Sequence, residues 1–305
     1  MSVTRKINKV FKSVPTLEGA GVHLKRAFGN REPNLLDPFL LLDDFHSDNP
    51  DKYINGFPWH PHRGIETITY MLQGTVEHGD SMGNKGVIEP GDVQWMTAGS
   101  GIIHQEMPRG EQDGKMWGLQ LWANLPASSK MMDPRYREIK SGDIPEVTLE
   151  SGTKIKVISG TIEGFSGPVM DIVIEPEYLD VQVPPHTIFK HPVRAVHTVF
   201  AYVLQGQGYF DKGRDSYSYE MEGAQYTDLD RECLLKNESL VIYENGDHVE
   251  ITTQEEPVRF LLISGKPIGE SVAWYGPIVM NTQEELRLAF QEYQNGTFIK
   301  HKKQN

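Results

Sequence analysis

Two histidines separated by a single proline lie in the segment FPWHPHRGIET, residues 57–67. In an extended chain, positions i and i+2 project to the same face, so His60 and His62 present their imidazoles together. Pro61 has no N–H to donate to a strand ladder, which predicts an edge strand or the start of a strand. Paired imidazoles can bind a transition metal, and such a site needs further ligands from elsewhere in the chain.

The same spacing recurs in the segment GIIHQEM, where His104 and Glu106 share a face behind the glycine-rich turn AGSG at residues 98–101. We predict that the two strands meet across a barrel and close a site of three imidazoles and one carboxylate. Nitrogen and oxygen donors without sulfur favour Fe(II), Mn, Ni, Cu(II) or Zn. The set extends the two-histidine arrangement of non-haem iron oxygenases, which leaves positions open for substrate or O₂.

The other eight histidines are isolated in the sequence or fall in predicted loops. They are His23, His46, His78, His186, His191, His197, His248 and His301. We expect them to be solvated or structural, because motif matches without a partner give many false positives.

The elements that position these residues are short apolar stretches of about five to eight residues, rich in β-branched and aromatic side chains. Examples are ETITYMLQG, GLQLWANLP, TVFAYVLQG and VRFLLISGKP, each bounded by Gly, Pro, Asn or Asp. This pattern is typical of a many-stranded sandwich or barrel.

The chain also repeats itself. The stretch YMLQG at residues 70–74 returns as YVLQG at residues 202–206, and GLQLW at 118–122 resembles RFLLI at 259–263. A strand, a glycine turn and a later strand in the same order, found twice, predict duplicated β-domains. With the repeats aligned, His60, His62 and Glu66 fall on Pro192, Arg194 and Thr198, so the second copy is expected to lack the metal ligands.

One helix is predicted near the C-terminus, over residues 281–295. Thr282 and Glu285 form a capping box at its start, and Gly296 ends it. Its apolar stripe comprises Leu286, Ala289, Phe290 and Tyr293.

Composition and charge exclude several classes of function. The formal net charge is −12, and basic residues do not cluster outside the tail at residues 301–303, which argues against direct binding of nucleic acid or of an anionic membrane. Cys233 is the only cysteine, so neither an internal disulfide nor a thiolate zinc site is expected. No signal peptide or run of about eighteen apolar residues is evident. A cytoplasmic protein is expected, with a nuclear location open if the source is eukaryotic.

Residues 56–67 (GFPWHPHRGIET) and 90–108 (PGDVQWMTAGSGIIHQEMP) together resemble the pirin family of the cupin superfamily. Residues 36–45 (LDPFLLLDDF) and 276–282 (GPIVMNT) are similar to pirin segments too. The resemblance implies two tandem cupin barrels, each a small jelly roll, over residues 1–140 and 141–305. It also implies one metal, usually iron, in the first barrel.

The resemblance implies His60, His62, His104 and Glu106 as the metal ligands. The general cupin pattern would instead take the glutamate four residues after the second histidine, which is Glu66 here. Only one carboxylate is needed, and pirins use the one matching Glu106, so we expect Glu66 to orient a ligand imidazole from behind.

The implied activity is that of a quercetinase, in which O₂ opens the central ring of a flavonol and carbon monoxide is released. Glu106 would take the proton of the flavonol hydroxyl. Apolar walls would hold the flat ligand, and Trp95, Met96, Trp117 and Trp122 are candidates for wall or core positions. The family also implies an alternative, a regulatory protein whose metal tunes a surface that binds a protein partner, without physiological catalysis.

Overall fold

The computed structural model describes residues 2–30, 33–222 and 233–301 of the chain. These residues form 26 strands, one α-helix and three short 3₁₀ turns (Pro50–Lys52, Ser141–Asp143 and Ser216–Ser218), which confirms the predicted all-β class with a C-terminal helix. The first thirteen strands are β1 (Ile7–Lys12), β2 (Val14–Glu18), β3 (Val22–Phe28), β4 (Phe39–Ser47), β5 (Phe57–His62), β6 (Ile65–Gln73), β7 (Thr75–Asp80), β8 (Lys85–Ile88), β9 (Val93–Thr97), β10 (Ile102–Arg109), β11 (Met116–Asn124), β12 (Arg135–Ile139) and β13 (Glu146–Thr148). The others are β14 (Lys154–Ser159), β15 (Thr161–Ile162), β16 (Phe165–Ser166), β17 (Glu177–Val183), β18 (Ile188–Pro192), β19 (Thr198–Tyr209), β20 (Glu220–Glu222), β21 (Leu234–Lys236), β22 (Ser239–Tyr243), β23 (His248–Thr252), β24 (Val258–Gly265), β25 (Ala273–Tyr275) and β26 (Ile278–Met280).

The chain folds as two compact units. The N-barrel comprises Val14–Ser141 and the segment from Ile268 onward, and the C-barrel comprises Gly142–Pro267 and the segment that ends at Ser13. This division differs from the predicted one at both ends of the chain. Strand pairing explains the difference: β1 pairs with β22 of the C-barrel, and the Val279 N–H of β26 donates to the Arg63 carbonyl of the N-barrel (3.1 Å).

Two main sheets form the N-barrel. The larger has seven strands in the order β12-β9-β6-β11-β4-β3-β2, and the smaller has four in the order β5-β10-β7-β8. Alternate residues of antiparallel strands face the interior, so the apolar positions of both sheets meet in a common core. One core cluster comprises Leu40, Ile65, Met96, Ala98, Ile102 and Val279.

The C-barrel is built on an eleven-stranded sheet whose main path runs β13-β14-β17-β24-β19-β22-β1-β20. Its core follows the two-residue period of a strand. In β19 the buried positions Val199, Ala201 and Val203 alternate along one face, and in β24 Val258, Phe260 and Leu262 do the same.

The sequence repeat corresponds to one pair of neighbouring strands in each barrel. In the N-barrel β6 pairs with β11, with Tyr70 opposite Leu119. In the C-barrel β19 pairs with β24, with Tyr202 opposite Leu261. The two repeated stretches therefore form the same antiparallel pair twice.

The predicted helix is α1 (Gln283–Gln294), with Thr282 as its N-cap. Thr282 accepts from the Glu285 N–H, and the Glu285 side chain accepts from the Thr282 N–H, so the capping box is confirmed. Leu286 and Ala289 are buried against the hairpin of β25 and β26. In the described part of the chain, this helix is too short and too polar to cross a membrane.

Candidate metal centre

The histidine motifs lie on two neighbouring strands of the four-stranded sheet. β5 is at the edge of that sheet, as the proline between the histidines predicts, and it pairs antiparallel with β10. His60 lies directly opposite His104, and His62 lies opposite Ile102. The expectation that the two strands face each other across a barrel is wrong. They are hydrogen-bonded neighbours, and this places the imidazoles within contact distance without spanning the interior.

The three imidazoles converge through their Nε2 atoms. The Nε2 of His60 lies 2.9 Å from that of His104 and 3.1 Å from that of His62. Among the His, Cys, Asp and Glu residues in the described part of the chain, these three form a group whose potential metal-binding atoms all lie within 4.8 Å of one another. Glu106 is not within this group, although it lines the same cavity as His60 and His62.

The outer nitrogens of two of these rings determine which tautomer they adopt. His60 Nδ1 donates to the Pro58 carbonyl (2.8 Å), and His62 Nδ1 donates to the Pro277 carbonyl (3.1 Å). A carbonyl oxygen only accepts, so in the neutral rings the proton sits on Nδ1 and Nε2 keeps its lone pair. Two lone pairs 3.1 Å apart repel unless a cation lies between them. The donor set therefore fits a transition metal, with backbone carbonyls fixing two of the three rings.

Burial keeps these imidazoles neutral near pH 7. Desolvation lowers the pKa of His60, and it holds the pKa of His62 well below its ordinary value, with His60 adding to the effect. The pKa of His104 is likewise held well below its ordinary value by burial, with further lowering by the neighbouring imidazoles. Neutral rings keep the lone pairs that metal binding requires.

Glu106 is held by a polar network on the side of the cavity. The Thr69 hydroxyl lies 3.0 Å from Oε1 of Glu106 and 2.6 Å from the side-chain oxygen of Gln120. A hydroxyl carries one proton, so it cannot donate to both oxygens. The Thr69 hydroxyl donates to Glu106 Oε1, and the Gln120 amide is then oriented so that its N–H donates to the Thr69 oxygen. This network orients Glu106, the carboxylate that was predicted as a metal ligand.

Glu66 lies on the opposite face of the seven-stranded sheet. Thr67 and Thr69 alternate with it along β6, and Thr69 lines the cavity, so Glu66 points away from it. Its carboxylate accepts from Thr97 (2.6 Å) and from the Trp95 indole (3.2 Å). Burial raises the pKa of Glu66, and these hydrogen bonds oppose that change. These contacts are to side chains other than the three histidines, so the expected role behind a ligand imidazole receives no support.

The turn after His62 is fixed by buried backbone contacts. Gly64 has a φ of 78°, and a Cβ at this position would lie 2.0 Å from the Val279 carbonyl oxygen, so only glycine fits. The buried Lys130 ammonium donates to the carbonyls of Gly64 (2.9 Å) and Val279 (3.1 Å) and to Asn124 Oδ1 (2.6 Å). These three acceptors use all three N–H groups of the ammonium and hold β26 beside the histidine strand.

Several histidines that the sequence assigned to loops lie on strands. His46 stacks on Trp117, and His191 contacts Glu177 (2.9 Å) in the C-barrel. His78 is the one that the sequence reasoning missed near the centre: it is buried, its ring lies 5.4 Å from that of His104, and its Nε2 lies 3.4 Å from Asp80. The spacing of His78 and Asp80 matches that of His104 and Glu106, so the signal was present in the sequence.

A cavity of about 430 Å³ opens beside the histidines within the N-barrel. Its aromatic wall includes Phe45, Trp122 and Trp274. Of the four wall candidates from the sequence, Trp122 lines the cavity and contacts the edge of His62, with ring centroids 5.0 Å apart. Trp95, Met96 and Trp117 are buried and are not among the lining residues, although Met96 belongs to the core cluster against which Trp122 and Trp274 pack. Trp274 was missed because it is distant in sequence and lies on β25.

The positions of the C-barrel that align with the first histidines hold other residues. Pro192 ends β18, and Arg194 forms an ion pair with Glu175. Thr198 begins β19.

Two β-barrel units, one of which carries converging imidazoles beside a cavity, define a bicupin with a candidate metal centre. The family model described as Pirin matches residues 21–123, and the model described as Pirin C-terminal cupin domain matches residues 178–299. The chain belongs to the pirin family.

Relatives cover nearly the whole chain. A pirin-like protein of Caulobacter vibrioides is 42% identical over 96% of this chain and 99% of its own length. A Pseudomonas aeruginosa protein named "Putative quercetin 2,3-dioxygenase" is 38% identical over 97% of this chain and 99% of its own length. The crystal structure of a quercetin 2,3-dioxygenase from Acinetobacter baumannii aligns with a TM-score of 0.83 at 30% identity, over 97% of this chain and 98% of that one.

Proposed function

We propose that this protein is a metal-dependent dioxygenase of the quercetinase type, which uses O₂ to cleave the ring of a flavonol or a similar aromatic enol. The observation that carries the proposal is the convergence of three Nε2 atoms, at 2.9 and 3.1 Å, beside an aromatic-walled cavity. The names of the Pseudomonas and Acinetobacter relatives support the same reaction class.

In this proposal His60, His62, His104 and Glu106 hold one divalent transition metal, Fe(II) by preference, with Mn, Ni, Cu and Zn as alternatives. When bound, the metal supplies Lewis acidity that lowers the pKa of a coordinated hydroxyl, and redox access to O₂. The backbone carbonyls of Pro58 and Pro277 keep two of the rings oriented.

Glu106 receives the proton of the enol hydroxyl in this proposal. Its carboxylate lines the cavity, and Thr69 limits its rotation through a 3.0 Å hydrogen bond. A carboxylate positioned within hydrogen-bond reach of the reacting hydroxyl contributes about 10²–10⁴ in rate as a general base. Thr69 acts through Glu106 and is a positioning residue.

The aromatic wall holds the flat substrate and excludes water. Trp122 and Trp274 lie with ring centroids 6.0 Å apart, and both line the cavity with Phe45. Apolar walls with a few placed polar groups are the usual construction of a small-molecule site. A cavity of about 430 Å³ lies within the usual range of about 300–1,000 Å³ for such sites.

The test is to follow flavonol absorbance with the Fe, Mn, Ni and Cu forms of the protein, under air and under nitrogen. We expect an O₂-dependent loss of absorbance that exceeds that of the apo-protein, with release of carbon monoxide. An equal loss with apo-protein and all loaded forms would contradict the proposal and favour the regulatory alternative.

A further inference from the structure

One row of polar side chains crosses the cavity face of the seven-stranded sheet. Gln120 lies opposite Asp43 on β4 and opposite Thr69 on β6, and Arg26 on β3 lies opposite Asp43. Directly opposed residues of antiparallel strands share a face, so the four side chains stand side by side. All four line the cavity. We call Arg26, Asp43, Gln120 and Thr69 the polar row.

Apolar side chains flank the polar row on the same face of the sheet. Leu41 and Trp122 lie two residues from members of the row on one side, and Leu24 and Phe45 lie two residues from members of the row on the other. The burial of polar groups in a barrel interior costs folding free energy, and an unbroken apolar face would avoid that cost. A polar row within an apolar pocket is the pattern of a ligand-recognition site.

The polar row begins at the metal end of the cavity and leads away from it. Thr69 contacts Glu106, which the proposed function places at the metal. Neighbouring strands lie roughly 4.8 Å apart, so the three steps from Thr69 to Arg26 span about 14 Å. A ligand whose chelating oxygens reach the centre would therefore extend along the row with its other rings.

The remote end of the row carries more negative than positive charge. Arg26 donates two hydrogen bonds to Asp43, both 2.7 Å long, and lies 2.9 Å from Glu18. One guanidinium thus faces two carboxylates, and all three residues line the cavity. The Asp43 oxygens have two acceptor sites each, and Arg26 uses one on each. The row therefore offers acceptors to a hydroxyl and repels an anion.

We propose that the polar row is a recognition subsite for hydroxyl groups at the remote end of a neutral polyphenol. It selects against ligands that carry a negative charge at that end. The inference rests on the proposed function, because it places the chelating oxygen pair of the flavonol at the histidines. A phenolic hydroxyl donates to Asp43, whereas a carboxylate or sulfate would meet Asp43 and Glu18.

The experiment measures flavonol binding to the metal-loaded protein under nitrogen at neutral pH, through quenching of tryptophan fluorescence. The probes are 3-hydroxyflavone, which has only the chelating pair, galangin, which adds hydroxyls at positions 5 and 7 of the fused ring, and 3-hydroxyflavone with a carboxylate at position 7 in place of that hydroxyl. We expect galangin to bind about tenfold or more tightly than 3-hydroxyflavone, because a hydrogen bond to a charged acceptor raises affinity by about this factor. The carboxylated probe should bind more weakly than 3-hydroxyflavone.

Asp43→Asn removes the charge and keeps the shape of the side chain. We expect it to reduce the preference for galangin at least about threefold, to leave 3-hydroxyflavone affinity within about twofold and to improve binding of the carboxylated probe. Asp180→Asn is the matched control, because Asp180 accepts two hydrogen bonds from Arg259 (2.9 and 2.6 Å) in the C-barrel. That control should leave all three affinities unchanged.

Equal affinity of the unmodified protein for galangin and 3-hydroxyflavone would overturn the subsite, and this comparison needs no variant. An equal loss of affinity for galangin and for 3-hydroxyflavone in Asp43→Asn would overturn the subsite as well. The cleavage assay separates the two proposals. A galangin preference without O₂-dependent cleavage contradicts only the dioxygenase, and cleavage of all flavonols without a preference contradicts only the subsite.

Discussion

His60 and His104 lie directly opposite each other on antiparallel strands, with their Nε2 atoms 2.9 Å apart. The strand register fixes which residues are opposite each other, so backbone hydrogen bonds place these two side chains side by side. The register shifts by one residue beyond this pair, and Glu106 lies opposite Phe57. A bulge of this kind redirects the next side chain, which is a common device beside functional sites.

Removal of a single imidazole should abolish metal binding. We expect His104→Ala to lower metal affinity by more than about 100-fold, because loss of a ligand exceeds the cost of losing a supporting partner. Metal content per chain, measured by mass spectrometry after dialysis, checks this. The matched control is His191→Ala, which removes a buried histidine of the C-barrel that contacts Glu177. Full occupancy in His104→Ala would rule out the site.

The two glutamates should behave differently. Glu106→Gln should lower flavonol turnover by about 10² or more, because an amide cannot take up the proton. Glu66→Gln should keep turnover and metal content within about threefold, because Glu66 points to the other face and contacts Trp95 and Thr97. Steady-state kinetics with parallel metal analysis distinguishes them, and the reverse pattern would make Glu66 the functional carboxylate.

Thr69 should affect turnover more than metal content. Thr69→Val keeps the shape and removes the hydroxyl that contacts Glu106 and Gln120, so we expect kcat to fall about tenfold or more. Thr69→Ser restores a hydroxyl and should recover most of the activity. Turnover of Thr69→Val at the level of the unmodified protein would show that the network does not orient Glu106.

Asp43 should make stability depend on pH. Burial raises its pKa from 3.8 to about 6, although Arg26 opposes the change. Because the folded protein holds this proton more tightly than the unfolded chain, the stabilising contribution is complete below about pH 4. It is lost as pH rises through 6, and it amounts to about 3 kcal/mol at most.

Urea denaturation of the unmodified protein and of Asp43→Asn at several pH values checks this. The difference in the free energy of unfolding, unmodified protein minus variant, should fall between pH 4 and 7. A difference that is constant or that rises with pH would contradict the assignment.

The parts of the site that could be predicted from the sequence depend on the spacing of residues close together in the chain. His60 with His62, and His104 with Glu106, are two residues apart, and the period of a strand places each pair on one face. The capping box of α1 is equally local, and the structure confirms it. Such signals depend only on residues close together in the chain, so they can be predicted from the sequence alone.

The parts that were missed depend on strand order. Local periodicity does not say which strand becomes the neighbour of which, so β5 and β10 were expected across a barrel although they pair directly. Local periodicity also does not show that Trp274 on β25 lines the cavity or that β1 pairs with a strand of the C-barrel, because both depend on strand order. The polar row is likewise invisible in any single strand, because it contains one residue from each of four strands.

The hydrogen bond from His62 to the Pro277 carbonyl joins residues 215 positions apart. During synthesis on the ribosome, His62 emerges long before its partner does. The N-barrel can therefore form its histidine strands early but can complete the support of His62 only after nearly the whole C-barrel has been translated. A chain that ends before Pro277 would lack the carbonyl that accepts from His62 Nδ1. A metal bound as proposed would therefore meet all three oriented imidazoles only late in the biosynthesis of this chain.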